Sequence, residues 1–397
     1  MILRKLTIIV ALIGTSIISL TGQITDSTYQ SRVNDWYQQA QRQIEQYRFD
    51  EALSWLIKCY SMDYDRIDYL AKIAYCHQQM GRYQDARMYY GEVLKRDSIN
   101  INAINSLASI ATRVRNYQQA ETYYDQLLKL DTTNAYYYKQ GAFTALRVNK
   151  TLKGIGLFLR AHDLNPADME VLDQLTSIYL SLDQLEFAEQ LLHKGLSRAP
   201  NNIALLQNQA RLHQKRNEHE GIVESIEKTM ALGDTNDYYQ MMLGVAYLKI
   251  DSLDQGIWHL EKIVDRDEAT DKTHHYLGLA YFYKNEYDKA DEHLSLAIEL
   301  GVSPKMGDYY EDLAQVKLKT RNRPQAIALY KKALEFKNDP ETLYLLANQS
   351  DIYYRDKSIA LRLYREYVAS GDSTYMTDAE ARIKHLREVV HQQAGGK

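Results

Sequence analysis

His274 and His275 stand side by side, and paired imidazoles can hold a metal or relay a proton. On a helix, however, adjacent residues diverge by ~100°, whereas two metal ligands on one helix face need a spacing of four. His213 and His219 flank a predicted turn among charged residues. The scattered histidines therefore read as packing or surface groups. Cys59 and Cys76 are the only cysteines, and no CxxC or Cys/His cluster accompanies them. An exported chain could pair them; two small thiols buried between helices is the plainer reading. There is no glycine-rich phosphate loop, no GxSxG and no HExxH. The 52 acidic residues give acid–base pairing no definite place without geometry. These residue types predict no enzyme, no cofactor and no metal site.

The chain has 397 residues, 45% hydrophobic and 25% charged, the balance of a folded protein rather than a disordered one. Length alone points to two or three globular domains. The net charge is −4 and no strongly basic block occurs, which removes the electrostatic footprint of a nucleic-acid binder. Five prolines and eighteen glycines imply long helices with short turns. The N-terminus is different material. Arg4 and Lys5 precede an apolar run from Leu6 to Leu20, then "TGQ". This reads as a secretory signal over 1–22, cut before Gln23, although Leu20 is large for its place before the cut. The alternative is an uncleaved N-terminal anchor, but the run is shorter than the ~20 residues of a full span. No cysteine follows it, so a lipid-modified cysteine there is excluded.

Small residues recur with a period of 34. Ala52, Ala86, Ala120, Gly154 and Ala188 each precede a large apolar residue by four positions, and the column continues through Ile222, Gly256 and Ala290. After a two-residue insertion it resumes at Ala326 and Ala360. Twelve residues before each stands a second column: Ala40, Ala74, Ala108, Ala142, Thr176, Ala210, Gly244, Gly278, Ala314 and Asn348. Two small-residue columns at a fixed offset mean two helices in close approach in every unit, because a large side chain would hold the axes apart. In "LDQLTSIYLSL" the apolar residues Leu172, Leu175, Ile178, Tyr179 and Leu182 keep helical spacing. One common slot carries Gly81, Asn149, Asp183, Asn217, Asp251 and Asn285, and reads as the turn that ends the first helix. Pro166 and Pro200 stop the second.

The unit resembles the tetratricopeptide repeat. Residues 271–304 match that pattern through Leu277, Gly278, Tyr281, Ala290, Leu294 and Ala297, and residues 169–202 through Leu172, Leu175, Tyr179, Ala188, Leu192 and Pro200. Eight units fall in 33–304 and two in 307–374. Ile222 departs from the pattern, as do Val93, Leu127, Ile263 and Tyr367, and these leave local helix spacing open. The segment 375–393 carries one apolar stripe, with Thr377 and Glu380 as a capping-box pair, and reads as an end helix covering the last hydrophobic face. The irregular stretch 300–310 reads as a longer loop. The resemblance implies an all-α fold, a right-handed superhelical solenoid of about ten 34-residue helix-turn-helix repeats with a C-terminal capping helix.

It also implies a concave face, lined by fixed slots of each first helix, that binds protein segments. In the first three units those slots are mainly polar, with Asn34, Gln41, Asp68, Gln78, Gln79, Asn102, Asn105, Ser109 and Arg113. The fourth offers Tyr136, Lys139, Phe143, Leu146 and Arg147. The seventh offers Tyr238, Met241, Val245, Leu248 and Lys249, and the eighth Lys272, His275, Leu279, Phe282 and Tyr283. Aromatic and Met side chains supply adaptable contact area. The family's carboxylate clamp is not formed, since Lys139 precedes Phe143 and Gln207 precedes Arg211.

The expectation is a non-enzymatic scaffold of the bacterial cell envelope, exported to the periplasm of a double-membrane bacterium. Its partners would be peptide or helical segments of proteins, with no nucleic acid, and a membrane only through an uncleaved N-terminus. Two alternatives stay open: an envelope accessory that binds glycan or a small ligand through exposed tyrosines, and a membrane-tethered assembly factor. The triplet Tyr136–Tyr138 divides by register: Tyr138 between helices, Tyr137 against the adjoining repeat, Tyr136 on the concave side. Mass analysis of the mature chain tests the signal. The expected N-terminus is Gln23, and a chain that keeps Met1 sinks the cleavage reading.

Overall fold

A computed structural model describes residues 29–301 and 304–395, so the apolar N-terminal run and the cut before Gln23 lie outside the described residues. Every regular element among the described residues is an α-helix. In chain order these are α1 (29–45), α2 (Phe49–Met62), α3 (Ile67–Gln79), α4 (Tyr83–Arg96), α5 (Ile101–Arg113), α6 (Tyr117–Leu130) and α7 (Ala135–Arg147). Then follow α8 (Thr151–Leu164), α9 (Met169–Ser181), α10 (Leu185–Arg198), α11 (Ile203–Arg216), α12 (His219–Ala231), α13 (Asp237–Lys249) and α14 (Leu253–Val264). The last are α15 (Asp271–Tyr283), α16 (Tyr287–Leu300), α17 (Met306–Lys319), α18 (Arg323–Phe336), α19 (Pro340–Tyr353), α20 (Lys357–Ser370) and α21 (Met376–Gly395). The chain divides into two compact units, one ending at Ile178 and one beginning at Tyr179, a boundary inside α9. Within each unit helices pack in sequence order. In the first, α3 lies on α4, α5 on α6 and α7 on α8; in the second, the pairs run from α11 with α12 to α19 with α20. Within each unit successive pairs rest on one another, and α21 packs on α20, the packing of a solenoid of helix pairs.

The small-residue columns sit where paired helices cross. Ala40, Ala74, Ala108 and Ala142 are fully buried, as are Ala52, Ala86 and Ala120 opposite them. A methyl group on Gly244 would meet Leu260 Cγ at 2.8 Å. One on Gly256 would run into Leu248 and stand 2.9 Å from the Gly244 carbonyl oxygen. The backbones of α13 and α14 therefore touch, which only small residues permit. The sixth pair keeps the rule by another route. Ile222 is buried, and Gly221 beside it makes room for the His213 ring, which a methyl there would meet at 2.5 Å. The small position has moved by one residue rather than vanished.

The turn inside a pair places one residue in the left-handed region: Tyr47, Gly81, Arg115, Asn149, Asp183, Asn217, Asp251, Asn285 and Arg321, with φ from 57° to 73°. The tenth pair differs, because Tyr354 after α19 is extended, with φ −81° and ψ 138°. The stretch after Leu300 is an interhelix loop up to Met306, with residues 302 and 303 outside the described chain.

Three expectations need correction or completion. Thr377 does not cap the last helix. That helix begins at Met376, and Tyr375 stands before it, its N–H donating to the Tyr367 hydroxyl at 2.7 Å. Tyr344 stacks on Tyr375 at 4.2 Å, and Arg382 Nε donates to the buried Asp351 at 2.5 Å, so α21 is pinned at both ends of its first turns. In the tyrosine triplet, Tyr137 is buried and Tyr138 only half-buried, because Tyr137 reaches Ile104, Ala108 and Tyr124 of the preceding pair. The equivalent residues Tyr69, Ala103, Val171, Leu205 and Tyr309 are buried too. Cys59 and Cys76 are free and fully buried, and burial pushes the Cys76 thiol up to about 11.

Tyrosines also tie one pair to the next. Tyr247 of α13 stacks on His259 of α14 at 5.5 Å and donates its hydroxyl to Glu227 of α12 at 2.5 Å. One repeat later, Tyr281 stacks on His293 at 5.6 Å and donates to Glu261. Burial, then the hydrogen bond to Glu227, pushes the Tyr247 phenol up to about 12.

Packing decides the sign of a glycine substitution here. Gly91, in α4, has nothing within 4 Å of an added methyl, so Gly91→Ala should gain about 0.5–1 kcal/mol from helix propensity. Gly256→Ala should instead lose about 1 kcal/mol, since crowding against the Gly244 carbonyl outweighs propensity. Urea unfolding of both variants checks this, and a gain at Gly256 would refute the backbone contact.

Candidate partner-binding site

In the second unit α13 touches α15, and α15 touches α17. A cavity of about 460 Å³ opens on this face of first helices. Tyr238, Met241, Val245 and Lys249 line it from α13, at helical steps of three and four. Lys272, His275 and Tyr276 come from α15, and Lys305, Asp308 and Tyr309 from the start of α17. His219 and Ile222 of α12, with Gln214 and Asn217 before it, close the remaining wall.

Local structure fixes each group. The Asn236 side chain accepts the Tyr238 N–H at 2.9 Å, which caps α13 and starts it at the cavity's edge. The Tyr238 ring is half exposed and meets Tyr239 edge-on at 5.1 Å. His275 Nε2 lies 2.7 Å from Asp312 Oδ2, and its ring is 4.4 Å from that of Tyr309. The Tyr309 hydroxyl donates in turn to Asp271 at 3.0 Å. Asp308 is held by Lys337 Nζ at 3.0 Å. His275 and Asp308 are thus tied into the wall. Lys249 and Lys272 are exposed on the rim, with no carboxylate partner among the described residues.

Other expected groove residues fall elsewhere. Leu279 is half-buried and does not line the cavity. Phe282 is half-buried against Tyr287 at 5.8 Å, and Tyr283 is 67% exposed beside it. In the first unit, Phe143 and Arg147 line a smaller hollow of about 250 Å³ with Tyr117, Gln140 and Glu170. Tyr136 is exposed with its ring 6.0 Å from Tyr137, outside that hollow. Lys139 is not available to a partner. Its ammonium is bound to Asp168 and Glu170, each at 2.9 Å. Burial alone would lower its pKa, but those bonds and charges outweigh burial and hold it above its ordinary value. Residue slots within single repeats overlooked His219, Ile222, Lys305 and Tyr309, which arrive from a neighbouring turn, helix or loop.

His274 points away from the cavity, into the contact between α15 and α16. Its Nδ1 lies 3.0 Å from His293 Nδ1, and the rings stack at 5.2 Å. Burial lowers both pKa values; Glu292 opposes this at each, and the His274 charge lowers His293 further. Glu261 of α14 and Lys289 of α16 act on His293 in opposite directions. No group of three or more His, Cys, Asp or Glu among the described residues could hold a metal ion. No helix among them is long and apolar enough to cross a membrane.

Histidines depressed below 6.5 bind protons less readily folded than unfolded. Their contribution to stability is complete above pH 6.5 and is lost as pH falls through the folded values. Stability measured by urea unfolding should therefore decline below pH 6.5. His274→Gln/His293→Gln should flatten that decline, and an unchanged slope would place its cause elsewhere.

Residues 67–100 and 103–135 each match a family model described as tetratricopeptide repeat. No match is found among the curated proteins. Among solved structures, the chain is similar to YrrB, described as a TPR protein with an unusual peptide-binding site, at 18% identity and a TM-score of 0.42, over 47% of this chain and 94% of that one. It is similar to MamA from Desulfovibrio magneticus RS-1 at 18% identity and a TM-score of 0.38, over 41% and 92%. It is also similar to a chain of the APC/C hetero-tetramer Cut9–Hcn1 at 14% identity and a TM-score of 0.45, over 89% and 76%.

Proposed function

Because the chain is a tetratricopeptide-repeat protein, and such proteins are in general protein-interaction scaffolds, we propose that it holds a segment of a protein partner against α13, α15 and α17. The observation that carries this is the cavity of about 460 Å³, with aromatic and Met walls and a few fixed polar groups. Concave sites of that make-up suit a peptide's side chains. His275 is committed to Asp312 and Tyr309, so it shapes the wall rather than presenting a reactive base. The reading is a non-enzymatic scaffold.

Its place in the cell is part of the same proposal. The N-terminal pattern of Arg4, Lys5 and the apolar run supports export to the periplasm or envelope of a double-membrane bacterium. A membrane-tethered assembly factor would differ only in keeping that segment. Recognition of glycan by tyrosine has less support. Tyr69, Tyr124, Tyr330, Tyr364 and Tyr367 are among the largest fully buried side chains and offer a ligand no surface.

Crosslinking in the native envelope tests the site. Tyr238→Ala/Met241→Ala should lose one specific partner by about tenfold or more, at unchanged helicity. A partner list identical to wild type would rule the site out.

A further inference from the structure

Resting on that reading of the cavity, we propose that its occupant is an acidic peptide segment of a partner protein. One large apolar side chain of that segment sits between Tyr238, Met241 and Tyr276, and carboxylates beside it meet Lys249 and Lys272. The charge of the lining carries the argument. Lys249 and Lys272 line the cavity, and its one lining carboxylate, Asp308, is already bonded to Lys337 at 3.0 Å. The chain as a whole carries a net charge of −4, so this concentration of cations is local rather than a bulk trend.

The two rim lysines are surface groups without ion-pair partners among the described residues, and no packing role accounts for them. Their aliphatic stems extend the apolar walls while the ammonium groups reach outward. Met241, flexible and apolar, and the apolar Val245 line the cavity with them. An apolar floor beneath a cationic rim is complementary to an apolar anchor flanked by Asp or Glu. The volume suits one or two side chains of a segment threading the face, not a folded domain.

Selection of random peptides of about twelve residues on the full chain, by display, tests the inference. Recovered sequences should be enriched about twofold in Asp and Glu over the starting library, with Phe, Trp or Leu between them. A recovered peptide should bind Lys249→Glu/Lys272→Glu about tenfold more weakly than wild type, and more weakly as salt rises. Its Gln/Asn analogue should lose affinity similarly. Recovered peptides without acidic bias, or undiminished binding to the charge-reversed variant, would overturn the inference. Tyr238→Ala/Met241→Ala separates it from the reading beneath it. Neutral peptides that need Tyr238 and Met241 leave the cavity as the site and remove only the acidic preference. Acidic peptides that bind the alanine variant at full strength remove the cavity itself. Selection that returns nothing above an unrelated chain counts against both. Circular dichroism on each variant controls for folding, which exposed lysines should not affect.

Discussion

The structure depends on how closely two helices of a pair can approach. Gly244 and Gly256 bring α13 and α14 to backbone contact, and fully buried alanines such as Ala74 and Ala86 occupy the same places in other pairs. Close crossing fixes the angle at which the second helix presents its outer side to the next pair. Each pair buries only part of its apolar surface alone, so stability accumulates by stacking. The small residues contribute little area themselves. Their effect is to let large neighbours such as Leu260 and Leu294 fill the crossing.

A second layer of contacts locks successive pairs together. The Tyr247–Glu227 and Tyr281–Glu261 bonds both run from a first helix back to the second helix of the preceding pair. Each phenol is also stacked on a histidine of its own pair. A tyrosine suits this place because its ring packs in the core while its hydroxyl reaches a carboxylate at the edge. Phenylalanine could not make these bonds, and the chain carries 33 tyrosines against six phenylalanines. The buried rings serve the stack, whereas others, such as Tyr136 and Tyr238, stand exposed.

The repeat and its helix pairs were legible because small residues recur at a fixed period. Composition read only part of the turns. Gly81, Asn149 and Asn285 announce left-handed backbone by residue type, whereas Tyr47, Arg115 and Arg321 adopt it with no such signal. Register alone would have found them. Slot number located faces only to within one helical step: Tyr137 meets the adjoining repeat as expected, whereas Tyr138 is half-buried rather than enclosed between helices. The cavity was half legible. Tyr238, Met241, Val245 and Lys249 share one helix face and could be read from spacing, but Ile222 and Tyr309 come from other repeats. Lys139 was misread for a related reason, since its partners Asp168 and Glu170 lie beyond the next helix in sequence.

Neighbouring histidines show how the site relates to the fold. His274 enters the packing of α15 on α16, while His275, the next residue, forms the cavity wall with Asp312. One helix therefore serves both, and the wall cannot shift without disturbing buried contacts. A wall so fixed would be organised before the proposed partner arrived, and binding would not expend free energy on ordering it. On the proposed reading, selectivity would rest on groups that the core does not constrain. Lys249 and Lys272 are such groups: exposed, without ion partners among the described residues, and replaceable at little cost to stability. The physical separation is between a floor set by the repeat and a rim that the repeat leaves unconstrained.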